Sequence, residues 1–154
     1  MDNNGIWWII GIGALILLAT GGAIVYTETR GLRNNNPGNI RLGIDWQGMA
    51  SNQTDPDFVQ FISPEYGIRA MAKILDTYLS EGVNTIRSII TRWAPPSEND
   101  TQAYIDDVSA TSGIPPDQTI TQAQFPVLIG AIIRHENGIN PYSAQIINAG
   151  VAMA

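Results

Sequence analysis

The sequence predicts an α+β domain standing behind a single N-terminal membrane helix, and three observations lead there. The run from Ile6 to about Val25 carries no charged side chain. Beyond Ser63, apolar residues recur every third or fourth position through a series of segments. Between residues 27 and 62 two short apolar stretches sit in chain rich in Asn, Gly, Asp and Pro. A small two-stranded element among four helices belongs to the α+β class.

The N-terminal run, IWWIIGIGALILLATGGAIV, has the length needed to cross a bilayer, since about 20 helical residues span about 30 Å. Trp7, Trp8 and Tyr26 flank it, where amphipathic rings favour the headgroup region. The leader MDNNG is acidic, whereas a cleaved signal peptide needs a basic leader. Residues 1–26 are therefore expected to anchor the chain in a lipid membrane through residues 6–25, and 27–154 to form one domain. Arg30 and Arg33 follow the run and no basic residue precedes it, which would place the domain on the cytoplasmic side.

Asp2 is the only charge before Glu28, so the domain carries 13 acids against 8 bases, a net charge of −5. That balance disfavours nucleic acid as a partner, because phosphate binding needs a basic face. The chain has no cysteine, which removes disulfides, a thiolate nucleophile and Cys-ligated zinc.

Asn39–Leu42 and Phe58–Ile62 are the two expected strands. Ser63 with Pro64 opens the first helix, carried by Ile68, Met71, Leu75, Tyr78 and Leu79 and closed by Gly82. The second runs near Thr85–Trp93, with Ile86, Ile89, Ile90 and Trp93 on one side, and stops at Pro95-Pro96. The third covers about Asp100–Thr111, ahead of Gly113 and Pro115-Pro116. The fourth runs from near Thr121 to about Glu136 on a face of Phe125, Leu128, Ile129, Ile132 and Ile133, and Asn137-Gly138 closes it.

Glu136 is the candidate catalytic residue. Ile132 and Ile133 lie four and three positions before it and share its side of the helix. Apolar neighbours and the negative end of the helix both make its carboxylate costly, so its pKa is expected to rise. An acid still protonated near neutral pH is what cleavage of a glycosidic bond requires. The bland alternative is a surface Glu in a last turn.

Arg134-His135-Glu136-Asn137-Gly138-Ile139-Asn140-Pro141, followed by Ala149-Gly150, resembles the catalytic-helix motif of the lytic transglycosylase family. There an apolar helix leads into Arg-Gln-Glu-Ser-Gly-Phe-Asn-Pro and a small-residue turn, and the family's acid falls on Glu136. This sequence departs in having Asn137 where the family has Ser. The parts that follow the Glu in that family have counterparts upstream here. Arg33-Asn34-Asn35-Asn36-Pro37-Gly38-Asn39-Ile40-Arg41, Trp46-Gln47-Gly48 and Ser63-Pro64-Glu65-Tyr66-Gly67-Ile68 are similar to stretches just after the catalytic helix of bacterial glucosaminidases. The resemblance implies a lysozyme-like fold, circularly permuted so that the catalytic helix comes last. Residues 30–145 also resemble small phage and prophage virion proteins that carry RNNNPGNIR and RHENG.

What the resemblance implies is a membrane-anchored phage enzyme that cuts the β-1,4 link of peptidoglycan between N-acetylmuramic acid and N-acetylglucosamine. It would sit in a phage virion membrane or a bacterial inner membrane, with peptidoglycan strands and other virion proteins as partners. One carboxyl group serves the transglycosylase route, first protonating the leaving oxygen and then taking the proton of the 6-hydroxyl. Hydrolysis would need a second carboxyl group. The rival is a non-enzymatic virion membrane protein whose domain binds glycan or a capsid component.

Candidate substrate-binding residues are Asn35, Asn36, Asn39, Trp46, Gln47, Asn140 and Tyr142. Amides of the Asn-rich segment could bond sugar hydroxyls, or could simply make the tight turn that Asn, Pro and Gly encode. Trp46 could stack on a sugar ring, although a lone Trp is more often core. Glu28 lies too near the membrane run to be carried on a catalytic helix. Glu65 reads as a helix-capping acid, Asp45 as part of a turn, and Asp106 and Asp107 as a solvated face. His135-Glu136 does not extend to a zinc motif, because position 139 is Ile and no other histidine exists. No glycine-rich phosphate loop is present, and neither a metal nor a cofactor is expected.

Overall fold

The computed structural model describes residues 17–20, 23–26 and 28–154. Strands β1 (Leu17–Thr20) and β2 (Ala23–Tyr26) pair antiparallel, Leu17 opposite Tyr26 and Thr20 opposite Ala23. The helices are α1 (Arg30–Arg33), α2 (Pro64–Ser80), α3 (Ile86–Trp93), α4 (Thr101–Ser112), α5 (Phe125–Asn137) and α6 (Ala144–Ala152), with a 3-10 turn at Gln122–Gln124 before α5.

The expected membrane helix is corrected by the hairpin. The expected helix reaches to about Val25, and its described residues from Leu17 on are extended and paired as strands instead. The first half lies outside the described residues. Among those described, no helix is long and apolar enough to cross a membrane.

The α+β, lysozyme-like class is corrected as well. No ladder forms between Asn39–Leu42 and Phe58–Ile62, where only isolated antiparallel bridges join Arg41 to Phe58 and Met49 to Phe61. The physical reason is competition from side chains for the backbone. Asn36 donates to the carbonyls of Ile40 (2.8 Å) and Val59 (2.9 Å) and accepts from the Ile40 N–H. Asp55 accepts from the N–H groups of Asp57 and Phe58, and the Gln60 amide oxygen from those of Thr54 and Asp55. With its donors and acceptors satisfied this way, the segment stays irregular. The domain is thus mostly helical.

Each helix start follows local chemistry. Ser63 is extended and precedes Pro64, whose fixed φ suits the first helical position. Thr85 and Ser88 cap α3 reciprocally, and the Asp100 carboxylate caps α4 through the Ala103 N–H. Gly113 and Gly138, both left-handed, end α4 and α5. The segment read as a small-residue turn is α6, capped by Ser143 through the Ile146 N–H.

The core is one cluster fed by α2, α3, α4 and α5, with Ile40, Val59 and Phe61 added from the irregular segment and Ile147 from α6. Helix α6 lies tightly on α2. A Cβ on Gly150 would come within 2.6 Å of the Ile68 side chain and 2.8 Å of the Glu65 carbonyl. Helix α4 packs along α5, and that pairing builds the site described next.

Candidate functional site

Glu136 stands one residue before the end of α5 and is 0% exposed. Both carboxyl oxygens have donors. The Tyr104 hydroxyl, from α4, donates to Oε1, and the Asn39 amide donates to Oε2 at 3.0 Å. The Trp93 indole N–H, at the end of α3, also stands where it favours the ionised form, but without regular hydrogen-bond geometry. Burial outweighs these donors and pushes the Glu136 pKa up to about 8. The same burial, together with the adjacent carboxyl, pushes the Tyr104 phenol well above its ordinary value.

A second layer surrounds this pair. The His135 ring stacks on Tyr104 with centroids 3.6 Å apart and planes at 22°. His135 Nδ1 lies 2.7 Å from the Asp107 carboxylate, which also meets Arg134 at 3.5 Å. On the other side Asn137, fully buried, ties three elements together. It accepts from the Thr29 hydroxyl at 2.5 Å and donates to the carbonyls of Pro37 and Ile133, each at 2.9 Å. A serine at this position could not reach all three, so the departure from the transglycosylase pattern has a structural use here.

The Asn-rich turn presses against this region because two of its residues, Asn35 and Asn39, adopt φ of 51°. Asn is among the few non-Gly residues that accept such backbone. Of the sequence-predicted binding residues, Asn39 is the one that reaches Glu136 among the described residues. Asn35 spends its amide on the Phe61 carbonyl at 3.0 Å. Asn36 is wholly buried and spends its amide on the backbone bonds given above. Trp46 is partly buried against the core, and Gln47 is exposed. Asn140 caps its own loop by accepting from the Tyr142 N–H at 3.1 Å. Tyr142 is half-buried, and its phenol is pushed up to about 12 by burial first and then by the negative fields of Glu28 and Glu65. Glu65 itself is held below its usual value by the Ser63 hydroxyl and its own N–H, as suits a first-turn acid.

The sequence singles out Glu136 but does not show Tyr104, Trp93 and Asp107 as its surroundings. Asp107 was read as part of a solvated face. Tyr104 and Asp107 are three apart on α4, so they share a face, and that spacing was the available signal. Among the described residues no three His, Cys, Asp or Glu side chains converge where a metal ion could sit.

No family model matches the chain. It is, however, 47% identical over 126 residues to Protein P5 of Pseudoalteromonas phage PM2, a match that covers 79% of each chain. That name carries no activity. At this identity and coverage, the chain belongs to the same family of phage proteins as Protein P5 of phage PM2.

Proposed function

We propose that the chain is a peptidoglycan-cleaving enzyme carried in a phage virion, with Glu136 as its acid. The carrying observation is a single carboxyl group wholly withdrawn from water with a donor on each oxygen, whose pKa burial pushes up to about 8. A proton held on a carboxyl at neutral pH can be given to the leaving oxygen of a glycosidic bond. The conjugate base can then take the proton of the muramoyl 6-hydroxyl and close an anhydro ring. Tyr104 and Asn39 stabilise that base while it lasts, and no second carboxyl group is needed. The substrate class rests on the likeness of Arg134–Pro141 to the transglycosylase motif, and the virion on the phage relative.

A second reading has its own observation. A side chain that is 0% exposed touches no substrate until what covers it moves. In that reading Glu136 is a buried structural acid, and the domain is a non-enzymatic virion component that binds glycan or another virion protein.

The deciding experiment incubates the full chain, and Glu136→Gln beside it, with purified peptidoglycan and analyses released muropeptides by mass spectrometry. Anhydromuramic products that vanish in Glu136→Gln support the transglycosylase. Hydrated products that vanish in it keep Glu136 as acid and require a partner carboxyl group. Absence of release from the folded wild-type chain favours the second reading.

A further inference from the structure

We propose that His135, clamped by Asp107, is a positioning residue that holds the Tyr104 hydroxyl on Glu136. As a part in catalysis this rests on the reading of Glu136 above, but the geometry stands independently of it.

Tyr104 and Asp107 project from one face of α4, and His135 enters between them from α5. One side of the imidazole is thereby fixed by a hydrogen bond to Asp107 at 2.7 Å, while its plane stacks on the phenol ring with centroids 3.6 Å apart. The carboxylate in turn is steadied by Arg134, whose guanidinium also donates to the Thr111 hydroxyl at 2.9 Å. A hydrogen bond to a carboxylate fixes which imidazole nitrogen carries the proton and fixes the ring plane. A phenol rotates about two side-chain torsions, so a rigid plate on one ring face restricts where its hydroxyl points. His135 precedes Glu136 directly, so plate and acid move together with the end of α5. The groups facing the imidazole are Tyr104, Asp107 and, along its own helix, Arg134. Those facing the acid are Tyr104, Asn39 and Trp93.

The Tyr104 hydroxyl donates to the ionised carboxyl group, so whatever loosens it raises the pH at which Glu136 gives up its proton. The test is a titration of the Glu136 side-chain carboxyl carbon by NMR in the full-length chain, which requires no substrate. Tyr104→Phe sets the scale, with a midpoint expected about one pH unit above wild type. His135→Ala is expected to move the midpoint up by a similar amount. His135→Phe, which keeps a flat ring on Tyr104, is expected to recover most of the difference. Asp107→Ala, at a partly exposed position that leaves the core intact, supplies the same reading should His135→Ala fail to fold, again as an upward shift. Wild-type midpoints in both His135→Ala and Asp107→Ala, beside a shifted Tyr104→Phe, would overturn the proposal. Failure of the enzyme reading would show differently, as a clean set of shifts in a chain that releases no muropeptides.

Discussion

The Tyr104 hydroxyl on α4 donates to Glu136 Oε1 on α5, joining two side chains 32 positions apart in the chain and both buried. Burial raises both groups, but their effects on each other differ in sign: the carboxyl makes the phenol harder to ionise, while the phenol's hydrogen bond eases ionisation of the carboxyl. The consequence is an ordered pair, in which the carboxyl gives up its proton first and the phenol remains a donor throughout the physiological range.

Stability should fall with rising pH because of Glu136. Its ordinary value is 4.5 and its folded value about 8, so between the two the folded chain holds a proton that the unfolded chain has lost. The contribution is full below pH 4.5 and is lost as pH rises through about 8. The slope reaches about 1.4 kcal/mol per pH unit at most. Urea midpoints at pH 5 and pH 8.5 should show the loss in wild type and much less of it in Glu136→Gln. Equal slopes in the two proteins would mean that the carboxyl is already ionised in the fold.

Asp55 has the opposite sign. Its carboxylate takes two bonds from Arg30, at 2.7 and 2.5 Å, one from Asn34 at 2.8 Å and two from backbone N–H groups. The Arg30 hydrogen bond is the chief cause that holds it well below the usual carboxylate range. Its contribution is present above the ordinary value and is lost as pH falls towards the folded one. Asp55→Asn should cost about 2 kcal/mol near neutral pH and should flatten the acid side of the stability curve. Thermal melts at pH 7 and pH 3 measure both effects.

Asn137→Ser, which installs the residue of the transglycosylase pattern, should destabilise rather than improve the chain. It removes the bonds to Thr29, Pro37 and Ile133 and leaves buried partners unsatisfied. A loss of about 2 kcal/mol is expected in denaturant unfolding. A neutral result would show that water replaces the amide.

Gly67→Ala should be more damaging than its chemistry suggests. A Cβ there would stand 2.1 Å from the Asn35 carbonyl oxygen and 2.9 Å from Pro37 Cδ. Backbone on both sides of that contact leaves no flexible atom to yield, so a cost of about 3 kcal/mol is expected. Gln47→Ala, at an exposed position, should stay within about 0.5 kcal/mol of wild type and serves as the comparison. Matched melting curves of the two variants would refute the close packing of α2 against the Asn-rich turn.

Helices α2, α3 and α5 were legible because their signals are local. Ser63-Pro64, Thr85 and the spacing of Phe125, Leu128, Ile129, Ile132 and Ile133 lie within a few residues of the structure they cause. The burial of Glu136 was readable for the same reason, from Ile132 and Ile133. The paired strands were not legible because a charge-free run looks alike as helix or strand, and the length of this one suits a membrane helix. Helix α6 was hidden by the reading of Ala149-Gly150 as a turn, although Ser143 and the spacing of Ile147 and Gly150 mark a helix. The spacing of Tyr104 and Asp107 gives a shared face on α4 but not its partner, and nothing near Thr29 shows that its hydroxyl ends at residue 137. Asn36 looked like a sugar-binding amide because sequence shows a side chain's capacity but not whether the backbone has already claimed it.

The Thr29–Asn137 bond closes across 108 positions of the chain. During synthesis at about 5–20 residues per second, the Asn-rich turn leaves the ribosome on the order of ten seconds before its partner is made. Until then Asn36 can satisfy its neighbours and Thr29 can cap the Leu32 N–H, but the bond from Thr29 to Asn137 cannot form. The contacts between the acid's helix and the turn that steadies it must therefore wait until α5 has been made. A translation pause placed between α4 and α5 would lengthen the interval in which Tyr104, Trp93 and the Asn-rich turn wait uncovered for chaperones and proteases.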